Sequence, residues 1–188
     1  MTFKPPSDQA RKRLSILAFG LAGCVLLAAL VLVLTGHGSC SVEDRASLHR
    51  LEPATVLHVS DGDTLFVRLD DGREGYVRLV GIDAPESVNP DETLNTPEGQ
   101  AAADFVKTLV PPGTRVWLAR DVSDVDRYGR WLRYVWLEEP DDVLDPDEVR
   151  ERMLNGIIVA SGHAEVKRYP PDVAYHEVLL SLAENRRG

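Results

Sequence analysis

Asp61-Gly62-Asp63-Thr64 and Arg78-Leu79-Val80-Gly81-Ile82-Asp83-Ala84-Pro85-Glu86 each follow an alternating apolar run. Each therefore falls where a strand ends or turns. Together they supply three carboxylates, on Asp63, Asp83 and Glu86, and the guanidinium of Arg78. Asp126-Arg127-Tyr128-Gly129-Arg130 adds a second arginine, Arg130. Carboxylate oxygens take hard cations, forked guanidinium groups pair with phosphate oxygens, and a carboxylate can take a proton from water. Two arginines around an acid-held cation would equip a site to hydrolyse a phosphodiester. Taken singly the stretches are ordinary. Asp-Gly is a turn signal wherever it occurs. Asp83 to Glu86 reads equally as a plain loop in which Pro85 keeps Ala84 out of the helical region. Arg130 alone reads as a surface charge. The weight lies in their combination.

The elements that must hold these residues are legible from pattern. Ala54 to Ser60, Thr64 to Leu69 and Tyr76 to Val80 are predicted strands, joined at Asp61-Gly62 and Asp70-Asp71-Gly72 into a meander. The loop from Gly81 to Asn95 is long enough to expect function in it. Thr96 caps a helix that starts at Pro97 and is stopped by Pro111-Pro112-Gly113, with Ala101, Phe105, Thr108 and Leu109 expected on one face. Thr114 to Ala119 and Trp131 to Leu137 are two further strands. Asp145-Pro146-Asp147-Glu148 opens a second helix expected to close at Gly156. A third runs from Val173 to Arg187, burying Tyr175, Val178, Leu179 and Leu182. The count predicts an α+β fold: a five-stranded β-barrel of the oligonucleotide-binding type with three helices, other α+β folds being compatible with the same pattern.

Before this domain, Leu14 to Leu34 carries no charge. As a helix it would span about 31 Å, enough to cross a bilayer core. Arg11-Lys12-Arg13 precedes it and Thr35 to Ser41 has no Lys or Arg. The expected organisation is a cytoplasmic tail (1–13), one transmembrane helix (14–35), a stalk (36–50) and a domain (51–188) held on the outer side of the cell membrane. A cleaved signal ending near Ser39 and a lipoprotein signal, Leu21-Ala22-Gly23-Cys24, are the competing readings. All three put the domain outside the cytoplasm. Cys40 alone remains for that part of the chain, free for a Cys40-linked dimer or simply unpaired. The net charge is −9, and the acidic excess lies after Arg50. Bulk electrostatic retention of nucleic acid is therefore excluded, and any such partner must be held by a local basic site and a cation. The histidines form no ligand cluster: His58 reads as a strand-surface residue and His176 as structural.

In order and spacing the motifs resemble the thermonuclease family, also called staphylococcal-nuclease-like domains. The likeness runs from Leu51 to about Arg187 through Glu52-Pro53-Ala54-Thr55, the three stretches above, Leu154-Asn155-Gly156 and His176-Glu177. It implies an oligonucleotide-binding barrel with three helices, one catalytic Ca²⁺, and a DNA or RNA substrate. By the match, Asp63, Asp83 and the backbone carbonyl of Ala84 would be the ligands, with Asp61 behind them. Glu86 would be the general base, and Arg78 and Arg130 the phosphate clamp. Ala84 stands where the best-known member has threonine, which a carbonyl ligand tolerates. The family's base-stacking tyrosines have no aligned counterpart, leaving Tyr128, Arg168 and Tyr169 as weaker candidates for substrate contact. The alternative function is a catalytically inactive barrel serving as a binding or interaction module. Such members usually lose the acids or arginines, which this chain keeps.

Overall fold

The computed structural model describes residues 47–88, 93 and 95–186. The expected tail, transmembrane helix and most of the expected stalk, with Cys24 and Cys40, lie outside the described residues. Among the described residues no helix is long and apolar enough to cross a membrane.

Strands β1 (Glu52–Asp61), β2 (Thr64–Leu69) and β3 (Glu74–Leu79) form the expected antiparallel meander. A two-residue strand β4 (Ile82–Asp83) follows, then helix α1 (Pro97–Leu109), β5 (Arg115–Ala119) and β6 (Trp131–Trp136). The barrel closes in the order β1-β2-β3-β6-β5, with β5 antiparallel to both β1 and β6 and with β3 parallel to β6. Closure leaves no barrel edge unpaired. Alternation explains the interior: Ala54, Val56, Leu65, Val67, Val77, Leu79, Val116 and Leu118 have no exposed surface. Two irregularities interrupt the β1–β2 register, at Val56/His58 and Val59/Asp61, the kind of feature that bends a long strand.

Helix α1 begins as its sequence requires, the Thr96 hydroxyl accepting from the Gly99 N–H. Its buried face, however, is Gly99, Ala102, Ala103 and Val106, while Ala101 and Thr108 are exposed. The small residues let the helix lie close against the barrel, a packing demand that apolar periodicity alone does not reveal. The second predicted helix is divided into α2 (Pro146–Glu151) and α3 (Leu154–Ser161), so the three predicted helices become four. The break has a cause: Leu137 donates to the Arg152 carbonyl, and Met153 bridges Trp136, so this backbone extends the β6 ladder. Gly156 does not end a helix. It sits inside α3, where a Cβ would come within 2.1 Å of the Val149 carbonyl oxygen. The left-handed stop is Gly162, at φ 86°.

A second pair, β4 with β7 (Glu165–Val166), precedes α4 (His176–Asn185). The expected face of α4 is buried at Tyr175, Leu179 and Leu182. Of the expected stalk, only 47–50 is described. There Leu48 is fully buried and the Ser47 hydroxyl donates to the Asp121 carbonyl at 3.1 Å, so ordered packing starts before Leu51.

Candidate active site

The β1–β2 turn, the end of β3, β4 and the loop before β6 meet at one cleft of about 740 Å³. Asp61, Asp63, Arg78, Asp83, Glu86, Asp126, Arg130, Tyr169 and Asp172 are among its lining residues. Seven of the sequence-predicted residues, Asp61, Asp63, Arg78, Asp83, Glu86, Arg130 and Tyr169, are thus brought together.

At the floor lies Asp63. Its Oδ2 is 2.8 Å from Arg78 Nη1 and accepts the Ala84 N–H at 3.0 Å, while Oδ1 accepts the Thr64 hydroxyl at 2.9 Å. Burial raises the Asp63 pKa above the ordinary 3.8, and the Arg78 charge and these hydrogen bonds only partly offset it. Arg78 spans two acids: Nη2 reaches Asp83 Oδ1 at 2.9 Å, and Nη1 also donates to the Leu79 carbonyl. Its side chain is only 12% exposed. Asp83 is half-open, with Lys167 Nζ and the Tyr169 hydroxyl at 3.5 and 3.4 Å. Asp61 turns back on its own loop, accepting from the Gly62 N–H at 2.8 Å and the Ser87 hydroxyl at 2.6 Å.

Gly62 is where the sequence expected a turn glycine. Its φ is not positive. The residue is small because a Cβ would lie 2.8 Å from Ala84 Cβ and 2.9 Å from Ala102 Cβ. The Asp61–Thr64 turn, the Asp83–Glu86 segment and α1 therefore press on one another at this glycine. Gly99 does the same one turn away: a Cβ there would meet the Glu86 carbonyl oxygen at 2.1 Å, and Thr96 N–H donates to that same oxygen. Exposed Glu86 is thus held by its backbone against the start of α1. Gly99→Ala should push this segment outward. A reaction in which Glu86 takes part is expected to slow about 100-fold, the scale of a small misplacement of a reacting group, with unchanged circular dichroism. A wild-type rate in that variant would show that this contact does not set Glu86.

On the opposite wall, Asp126 builds the mount for Arg130. Its Oδ1 accepts the N–H groups of Tyr128 and Arg130 at 2.8 and 3.0 Å, and its Oδ2 takes Arg130 Nε and Nη2, both at 2.7 Å. Gly129, at φ 80°, makes the turn possible. Tyr128 stands 67% exposed, with the Arg127 and Arg130 guanidinium groups 4.6 and 5.5 Å from its ring centre. It does not line the cleft, and neither does Arg168.

Sequence reasoning names Tyr169 only as a weaker candidate and misses Lys167, Asp172 and Asp121. Lys167 and Tyr169 arrive because β7 pairs with β4, a two-residue pairing with no periodic signal. Asp172 lines the cleft and accepts the Val122 and Ser123 N–H groups at 3.1 and 2.7 Å. Asp121, buried, accepts the Tyr134 hydroxyl and the Ala174 N–H. These two aspartates tie the segment carrying Tyr169 to the loop leading to Arg130. Asn155, also buried, clips β3's end to β6 by donating to the Val80 carbonyl and accepting from the Val135 N–H. His58 is exposed on β1 and His176 opens α4, both as expected.

The donors facing the cleft are oxygens, one pair of them on a carboxylate that burial penalises. That set suits a hard cation. Among the described residues no three His, Cys, Asp or Glu side chains cluster as a metal group. A cation here would rest on two carboxylates plus carbonyl and solvent or substrate oxygens.

A closed five-stranded barrel with helices and a cleft lined by acids and arginines defines a class of α+β proteins on an oligonucleotide-binding type of fold. The comparisons narrow it. Residues 76–187 match the staphylococcal nuclease homologue family. The chain is 36% identical over 135 residues to the thermonuclease of Staphylococcus intermedius, covering 72% of this chain and 71% of that protein. It is 36% identical over 122 residues to the thermonuclease of Staphylococcus hyicus, covering 65% and 63%. Protein ParB of Escherichia coli is 34% identical over 133 residues, covering 71% and 67%. The chain belongs to the staphylococcal nuclease homologue family.

Proposed function

We propose that this protein is a Ca²⁺-dependent phosphodiesterase that cuts DNA or RNA on the outer side of the cell membrane, to which its N-terminal apolar segment holds it. The observation that carries the reading is the single cleft lined by Asp63, Arg78, Asp83, Glu86 and Arg130. Two relatives bear the name thermonuclease, which supports the same chemistry.

Asp63, Asp83 and the Ala84 carbonyl would hold the Ca²⁺, whose charge offsets that of the phosphate and of the oxygens that gain charge as water adds. Arg78 and Arg130 offer forked donors to the same phosphate oxygens, in a recess where such contacts count for more than in water. Asp126 keeps the Arg130 fork in one orientation. Glu86, on the open side, takes a proton from the attacking water. The P–O bond to the leaving sugar breaks, and that oxygen takes a proton from solvent. Asp61 acts one step back, by fixing the turn that carries Asp63. Two carboxylates are a small ligand charge, so Ca²⁺ would bind weakly, which external concentrations of about 10⁻³ M tolerate.

The test is digestion of single-stranded DNA and RNA by the full chain in detergent, with Ca²⁺ or with a chelator. Binding of the strand without cutting under Ca²⁺ would select the inactive-barrel reading instead. The membrane part of the proposal has its own check. A reporter fused after Gly188 should be active only outside the cytoplasm, because Arg11-Lys12-Arg13 holds the N-terminus inside. A cytoplasmic signal contradicts it, and a mature chain starting at lipidated Cys24 replaces the spanning helix with a lipid anchor.

A further inference from the structure

Outside the acids and arginines, the barrel carries a row of rings. His58 on β1 lies directly across from Phe66 on β2, which lies directly across from Tyr76 on β3. The His58 and Phe66 rings stack at 5.0 Å with 27° between planes, and Phe66 meets Tyr76 at 4.8 Å, tilted by 55°. Cross-strand aromatic pairs stabilise sheets, but that role does not require exposure, and this row is on the outer face. His58 is exposed, and Tyr76 is 44% exposed and lines the cleft. Tyr76 also stands two residues before Arg78 on the same strand, so both project from one face, about 6.7 Å apart along it. That is about the reach of one nucleotide. A strand whose phosphate sits on Arg78 would thus have its neighbouring base at Tyr76 and could continue across Phe66 toward His58.

We propose that His58, Phe66 and Tyr76 form a stacking platform for the bases of single-stranded nucleic acid that runs on from the cleft. The proposal rests on the nuclease reading for its substrate. Rings accept any base through its flat face, so the platform favours unpaired strands over duplexes without reading sequence. It also answers the charge problem. A protein of net charge −9 repels a long polyanion, and stacking gives affinity that does not depend on net charge.

The experiment compares a short fluorescent oligothymidylate with an abasic strand of the same length. Binding to the full chain in detergent is followed with Ca²⁺ by stopped-flow anisotropy, before cleavage. The same samples, followed to long times, report cutting and so test the nuclease reading separately. Wild type should bind the strand with bases at least about fivefold more tightly than the abasic one. Tyr76→Val and Phe66→Val, which suit a strand, should each shrink that difference. Tyr76 is exposed, so its variant keeps the test decisive if Phe66→Val fails to fold. Equal binding of the two strands by wild type, or an undiminished preference in Tyr76→Val, overturns the platform, whether or not the protein cuts.

Discussion

Glu86→Gln should lower the single-turnover cleavage rate by about 100- to 1,000-fold while leaving the affinity for a short single strand unchanged or slightly improved. The size follows from losing proton transfer, which contributes about 10²–10⁴ in rate when the group is well placed. The direction on affinity follows from charge, because Gln keeps the shape of Glu and removes one negative group from the cleft. Arg130→Lys provides the partner experiment. Lysine retains the positive charge but not the fork that Asp126 orients through Nε and Nη2. A loss of about 10²–10³ in rate, with a small change in affinity, is the signature of a contact that strengthens in the transition state. Wild-type rates in both variants, or a change confined to binding, would show that these residues do not have the roles assigned.

Asp63→Asn is expected to abolish most cleavage and to remove the effect of Ca²⁺ on thermal stability. The second effect follows from the burial of Asp63. Its pKa is raised by desolvation, so the folded state disfavours the charged form. The stability linked to its proton is fully present below the unfolded value of 3.8 and is lost as pH rises through the higher folded value. At neutral pH the group is therefore a net cost that Arg78 only partly offsets and that a bound metal ion would reduce further. Ca²⁺ at about 100 times its dissociation constant would stabilise the wild type by about 2.7 kcal/mol, a rise of several degrees for a domain of this size. The Asn variant should show no such rise. An equal shift in both proteins would place the ion elsewhere.

What could be read from the sequence was local. The meander, its alternation and the Thr96 and Asp145 caps are properties of neighbouring residues, and the structure bears them out. The acids and arginines picked out by their spacing line one cleft. What escaped depended on contacts between distant segments. The parallel β3–β6 pairing leaves no periodic trace at either strand, and neither does the β4–β7 pairing that delivers Lys167 and Tyr169 to Asp83. Glycines show a related limit. Gly62 does sit in the expected β1–β2 turn, yet its smallness also serves the close approach of Ala84 and Ala102, and Gly156, expected as a helix stop, instead lies inside a helix against the Val149 carbonyl. The helix break at Arg152–Met153 is likewise a tertiary decision, taken by the β6 ladder. Asp121 and Asp172 carry no motif at all, and their value lies in the N–H and O–H groups that folding presents to them.

The central claim is that the Asp63–Asp83 cleft hydrolyses phosphodiester bonds with Ca²⁺. The most direct measurement is the cleavage of an end-labelled single strand by the full chain in detergent, at millimolar Ca²⁺ and again with the ion chelated. The account predicts shorter labelled products with Ca²⁺, almost none with chelator, and recovery when Ca²⁺ is restored. Undiminished cutting in chelator, or an intact strand under all three conditions, would contradict it.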